Sequence, residues 1–149
     1  MKKGFVCGVF DIFHAGHALM LKECANKCDY LILALNKAEN IDFSINAGKI
    51  PPLYSIEERV LILESCLYVD EVVVYNSESE LYEIMKNSNI DIRFLGEDYK
   101  GQKITGEDLN IPIYYCDRSH GLTTSLYKVR LVKLMNERKE RLNQNLGDR

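Results

Sequence analysis

Two of the chain's three histidines, His14 and His17, stand three residues apart in the stretch "GVFDIFHAGH", with Gly16 between them. The apolar residues Phe5, Val6, Val9 and Phe10 run up to Asp11 and stop there, so the pair lies where a buried strand ends and a helix begins. A helix N-terminus has free backbone N–H groups and a partial positive charge, both of which favour phosphate. Imidazoles at that place add donors aimed at the same oxygens, and Gly16 leaves room for a ligand to come close. The arrangement fits chemistry at a triphosphate, with His14 and His17 donating hydrogen bonds as charge builds in the transition state. Two other readings of the pair stay open. A His-x-x-His pair can bind zinc with Cys7, Cys24 or Cys28, although Cys24 and Cys28 fall on the apolar face of the helix that follows. The histidines can also serve only as hydrogen bonders at the helix start.

The elements that must hold this pair follow from the hydrophobic pattern. Residues 4–10 read as a strand and 17–28 as a helix, with Leu21, Cys24, Ala25 and Cys28 on one face. The near-continuous apolar run Asp29 to Leu35 reads as a strand covered on both sides. Residues 36–54 are polar, carry a Gly-Lys and a Pro-Pro, and read as a long loop of the functional or mobile kind. Ser55 with Glu58 is a capping-box signature, and Val60, Leu61, Leu63 and Leu67 continue that helix. Glu71 to Tyr75 is a strand; Ser77 with Glu80 signals a second box and a helix to about Asn87. Strands follow at 91–96 and 111–116, and Thr123 or Thr124 caps a last helix expected to end near Arg138. Alternating strands and helices predict an α/β, Rossmann-like, doubly wound five-stranded parallel sheet with helices on both faces. In such sheets ligands bind outside the carboxyl ends of the strands, which is where the histidines fall.

Length and composition fit one domain with a real core: 149 residues, 46% apolar and 28% charged. A net charge of −3 gives no reason to expect nucleic acid as a partner. From Lys128 to Arg149 there are seven Lys/Arg against three Asp/Glu, a basic last helix whose plainest explanation is a solvated face. No segment is long and apolar enough to span a bilayer, and the start reads as a first strand and not a secretory signal. Five scattered cysteines make no disulfide framework, so a reducing, cytoplasmic setting is expected.

"GVFDIFHAGH" resembles the G-x-F-D-x-x-H-x-G-H signature of the cytidylyltransferases within the nucleotidylyltransferase superfamily. Three more blocks follow in the family's order, so the similarity runs from about Gly8 to Lys128. By this resemblance Gly8, Phe10, Asp11 and Gly16 lie beside the nucleotide. "KIPPLYSIEERVLILESCLYVDEVVV" is similar to the lysine, E-x-R and Y-V-D-E-V elements of the glycerol-3-phosphate, phosphocholine and phosphoethanolamine enzymes. It makes Lys49 a catalytic cation against the phosphates and Arg59 a contact to the phosphates or the bound substrate. It gives Asp70 a loop-orienting or purely structural part. "GEDYKG" resembles G-D-D-W-x-G, which places Asp98 on the nucleotide or acceptor side and Tyr99 where the family has tryptophan. "RSHGLTTS" is similar to R-T-x-G-I-S-T-T. It sends Arg118 to the nucleotide, and Thr123, Thr124 and Ser125 open a second phosphate-binding helix end.

The resemblance implies a nucleotidylyltransferase domain over residues 1–136, followed by a polar tail at 137–149 that frays. It implies an enzyme that transfers CMP from CTP to a phosphorylated alcohol, such as glycerol 3-phosphate or a similar polyol or amino-alcohol phosphate, with release of pyrophosphate. Mg²⁺ is expected to arrive on the triphosphate and not in a protein cage, and family enzymes are typically homodimers. By the resemblance, departures at Asn36–Glu39 ("NKAE"), Leu67, Ser119 and His120 lie near where an acceptor or the dimer partner would be, and they leave the acceptor open. The competing functions are an adenylyltransferase of the same fold, acting on a sugar phosphate or coenzyme precursor, and a nucleotide-sensing module without turnover.

Overall fold

In a computed structural model of the chain, residues 1–39, 41–42, 44–45, 47–48 and 50–147 are described. Their elements are β1 (Lys3–Gly8), α1 (Ala15–Ala25), β2 (Tyr30–Asn36), α2 (Ile56–Glu64), β3 (Glu71–Tyr75), α3 (Glu78–Asn87), β4 (Ile92–Gly96), β5 (Ile113–Cys116) and α4 (Thr124–Gly147). The five strands form one parallel sheet in the order β3-β2-β1-β4-β5. The chain leaves β1 toward β2 and β3, then crosses back to lay β4 on the other side of β1. The crevice between the ends of β1 and β4 is therefore the topological switch point, where ligands settle in open α/β sheets.

Alternation along the strands divides the core between the two faces. Val6, Leu31, Leu33, Leu35, Ile92 and Phe94 pack with Leu21 and Cys24 of α1 and Leu63 of α2. Phe5, Ile32 and Ala34 pack with Tyr75 and with Leu81 and Met85 of α3. Both faces of β2 are covered, which is why its sequence is apolar without alternation. Each such leucine or phenylalanine contributes roughly 1.5–3 kcal/mol by leaving water. The opposite, amino-terminal edge is pinned by aspartates. Asp29 accepts from Lys2 N–H, Asp91 from Lys3 N–H and Asp70 from Leu31 N–H, at 2.7, 2.8 and 2.7 Å respectively. Asp70 thus has an architectural part, fixing the start of β3 to β2.

Element boundaries shift where a local interaction outranks the hydrophobic pattern. β1 ends at Gly8 and not at residue 10, because Phe10 and Ile12 take φ of 48° and 47°, which no strand continues through. α1 begins at Ala15, two residues before His17, because His14 is its cap. α2 stops at Glu64, short of Leu67, where the Ser65 hydroxyl donates to the Ile62 carbonyl at 2.6 Å. The Ser55–Glu58 box is complete. In the second box Ser77 accepts from Glu80 N–H, but the Glu80 carboxylate accepts from Asn76 N–H, one residue further back than expected. α4 does not end near Arg138 but continues to Gly147. Its interior holds no glycine or proline and is rich in Leu, Lys and Arg, which lose little on becoming helical. No helix among the described residues is long and apolar enough to cross a membrane, and the five cysteines are free thiols.

Candidate active site

The backbone after β1 turns through two left-handed residues before α1 starts, and this brings the histidines over the end of the sheet. Such a conformation at Phe10 and Ile12 is costly and must be held by its surroundings. Gly8 helps hold it, since a Cβ there would stand 3.0 Å from the Phe10 ring. The Phe10 ring in turn lies 5.1 Å from the His17 ring. His14 is the N-cap of α1. Its Nδ1 accepts from Gly16 N–H at 3.0 Å, and His17 Nδ1 accepts from His14 N–H at 3.4 Å. The two imidazoles close a reciprocal capping box and stack with centroids 3.7 Å apart.

That box decides their chemistry. A ring whose Nδ1 accepts carries its proton on Nε2 when neutral, so both imidazoles present Nε2–H as donor. His14 Nε2 lies 3.1 Å from Thr124 Oγ1 and donates to it, which leaves the threonine hydroxyl proton free for a ligand. Burial, followed by the neighbouring His14 and Arg118, pushes the His17 pKa down to about 3. Burial, Arg118 and His120 also lower that of His14. Both are therefore neutral donors at physiological pH, suited to stabilising phosphate charge without first giving up a proton.

The second helix end is packed directly against the first. Thr123 caps α4, its Oγ1 accepting from Leu126 N–H at 3.1 Å, and Thr124 faces His14. Ser125 is exposed and makes no part of this junction. Gly16 has a different use from the one expected of it. A Cβ there would stand 2.4 Å from the Leu122 carbonyl oxygen, so its bareness admits the protein's own backbone and not a ligand. That close approach is what lets the two helix N-termini meet. Gly96, at the end of β4, similarly makes way for the Asp98 carboxylate and the Arg118 stem, which would stand 2.4 and 3.4 Å from a Cβ. Asp98 is exposed beside that strand end. Arg118 is held by its N–H donating to Glu97 Oε1 at 3.0 Å.

A cavity of about 620 Å³ opens over the ends of β1 and β4, lined in part by Phe10, His17, Gly96, Tyr99 and Arg118. A neighbouring cavity of about 540 Å³ is lined by Phe10, Asp11, Asn36, Thr124 and Lys128, among others. The histidine–threonine junction and Arg118 therefore border two adjacent cavities on the expected edge, which share Phe10 and Asn36 in their linings. Lys49 lies outside the described residues.

Two expected ligand contacts turn out to be braces. Arg59 is only 2% exposed. Its Nε donates to Tyr54 O at 3.2 Å, Nη1 to Val9 O and Asn36 O at 3.1 and 2.6 Å, and Nη2 to Lys37 O at 2.8 Å. A guanidinium with four of its five donors spent on the loops after β1 and β2 has no fork left for phosphate. Asp11, 5% exposed, accepts from Leu53 N–H at 2.8 Å and Tyr54 N–H at 3.0 Å, and pairs with Lys128 Nζ at 3.6 Å. It ties the 50s loop and α4 to the turn after β1. Lys128 escaped the sequence reading as a site residue; its signal was its place one helical turn after Thr124. His120 also joins the site, its Nδ1 accepting from Leu122 N–H at 3.0 Å.

A sequence profile described as Cytidylyltransferase-like matches residues 5–140. The chain is 31% identical over 134 residues to the glycerol-3-phosphate cytidylyltransferase of Bacillus subtilis, covering 90% of this chain and 100% of that protein. It is 35% identical over 123 residues to the bifunctional protein HldE of Wolinella succinogenes, covering 81% of this chain but 25% of that protein. A lipopolysaccharide core biosynthesis protein from Thermoplasma volcanium shares the fold, with a TM-score of 0.59 at 24% identity over 78% of this chain and 95% of that one.

Proposed function

Because the chain belongs to the cytidylyltransferase-like family of nucleotidyltransferases, we propose that it transfers CMP from Mg²⁺-CTP to a small phosphorylated alcohol, yielding a CDP-activated alcohol and pyrophosphate. The observation that carries this reading is the junction of the α1 and α4 N-termini. There, the neutral His14–His17 stack and the Thr124 hydroxyl meet at the sheet edge that Arg118 also borders. The match to glycerol-3-phosphate cytidylyltransferases over their whole length supports the choice of nucleotide and acceptor class.

The reaction needs no protein nucleophile. An oxygen of the acceptor phosphate forms a bond to the α-phosphorus, the bond from that phosphorus to the bridging oxygen breaks, and pyrophosphate leaves in line. The protein aligns the two reactants, a contribution of roughly 7–11 kcal/mol in favourable cases, and stabilises the charge that spreads over the phosphoryl oxygens. His17 Nε2–H and the helix-end N–H groups do this without reorganising. Arg118 holds the phosphates or ribose from the β5 side, and Lys49 supplies a further cation from the long loop. Mg²⁺ enters on the triphosphate, as part of the nucleotide substrate.

The contacts above concern phosphate and not the base, and the relatives carry two different names. Adenylyl transfer to a sugar phosphate is therefore the second reading. Pyrophosphate release measured with each nucleoside triphosphate against an acceptor panel separates them. Release with CTP and an alcohol phosphate is expected. A preference for ATP establishes the second reading, and no release with any nucleotide overturns both in favour of a sensing module.

A further inference from the structure

The α3 side of the 620 Å³ cavity holds a cation that nothing above uses. Arg93 interrupts the apolar strand β4 and is 4% exposed. It pairs in register with Phe5 of β1, so its side chain lies on the α3 face, among Phe5, Tyr75 and Leu81. Its Nη1 donates to the Thr105 carbonyl, while its Nε has no hydrogen-bond partner. Its remaining polar neighbours are weak ones: the Cys7 thiol, with the Tyr75 hydroxyl beside it. Glu78 lines the same cavity and accepts from the Thr105 hydroxyl, but it makes no direct ion pair with Arg93; the one ion pair among the described residues joins Lys128 to Asp11. A buried guanidinium without a directly paired carboxylate is expensive and is normally compensated. Arg59 shows the ordinary solution, with an acceptor for each of its three guanidinium nitrogens. Arg93 keeps an unpartnered Nε, and its side chain borders the cavity.

We propose that Arg93 recognises a carboxylate on the acceptor substrate, at the end away from its reacting phosphate. The inference rests on the transfer reading above and narrows its acceptor class. The reacting phosphate must sit by His17 and Arg118, over the strand ends. Arg93 is rooted three residues before Gly96, about 10 Å back along the strand, so it meets a different part of the same molecule. A planar fork with one positive charge matches a carboxylate in geometry and charge. Lys103, exposed at the cavity rim, adds attraction without burial. A neutral polyol or amino-alcohol phosphate would leave Arg93 unpaired.

The test uses matched acceptors that differ by the carboxylate: 3-phosphoglycerate against glycerol 3-phosphate, and O-phosphoserine against phosphoethanolamine. Binding is measured by calorimetry without nucleotide, and pyrophosphate release is measured in parallel. The wild-type protein is expected to favour the acidic member of at least one pair by tenfold or more. Arg93→Met erases that preference while leaving the neutral member within about threefold, and Arg93→Lys keeps part of it, since the charge remains without the fork. Equal or weaker binding of the acidic members overturns the proposal, as does an Arg93→Met variant that weakens both members alike. The wild-type comparison decides even if Arg93→Met does not fold. Absence of pyrophosphate release with every nucleotide defeats the transfer reading instead, and release with glycerol 3-phosphate but not with 3-phosphoglycerate defeats only the carboxylate.

Discussion

Arg59 and Arg93 lie on opposite faces of the same sheet, almost equally removed from water, and face different surroundings. Arg59 on the α2 side is closed in by the four carbonyls of Val9, Asn36, Lys37 and Tyr54. Arg93 on the α3 side has the Thr105 carbonyl, an idle Nε and open volume. The first face is finished as architecture: its polar groups brace the loops that carry the histidines. The second is finished only when a ligand arrives. Burial of a charged residue therefore does not say whether it builds the site or serves it; the count of acceptors around it does.

The largest expected effect tests the closed face. Arg59→Met leaves carbonyls unpaired at a cost of about 1–3 kcal/mol each before relaxation, so we expect about 4 kcal/mol of lost stability and a melting temperature lower by on the order of 10 °C. An unchanged thermal melt would erase the contrast with Arg93. Next is the seam between the faces. His17→Ala should lower turnover about a hundredfold, equivalent to about 2.7 kcal/mol, with circular dichroism and the fold retained; near-normal kcat in a pyrophosphate assay counts against the histidine assignment.

A pH dependence follows from the same residue. The folded pKa of His17 is lowered to about 3 from 6.5. Between those values the unfolded chain binds a proton that the folded protein refuses, so stability falls as the pH drops below 6.5 and recovers above it. Moving from pH 6.5 to pH 5 should cost about 2 kcal/mol, read by urea unfolding at both values, and His17→Gln should flatten that slope. The smallest effect belongs to the open face. Arg93→Met should change stability by less than about 1 kcal/mol, or raise it, because replacing an uncompensated buried charge by an apolar side chain is often neutral. A loss as large as that of Arg59→Met would make Arg93 a brace too and sharpen the comparison against the carboxylate.

Much of the fold was legible beforehand. The β3 and α3 ranges match the expected ones to the residue at most ends, since apolar alternation and serine caps are local signals. The long polar stretch after β2 was equally plain. What escaped depended on contacts between distant segments. The sequence presents Gly16 as clearance for a ligand, yet the Leu122 carbonyl, more than a hundred positions away, occupies that space. The family resemblance makes Arg59 a contact to the phosphates or the bound substrate, and no sequence pattern shows which carbonyls will surround it. Arg93 had a visible sign, a cation inside the apolar run "DIRFLG", but a strand pattern cannot tell a satisfied charge from a waiting one.

By itself, then, the order of residues determined the alternating strands and helices, the parallel sheet and the placing of His14 and His17 at a helix start. Those features come from periodicity and capping, which act over a few neighbours. Only the tertiary structure decided how the charges are used: two imidazoles kept neutral by burial and by neighbouring cationic groups, one guanidinium spent on loop carbonyls, another left bordering a cavity. Electrostatic roles depend on every group within a few ångströms in space, and that neighbourhood exists only once the chain has closed on itself.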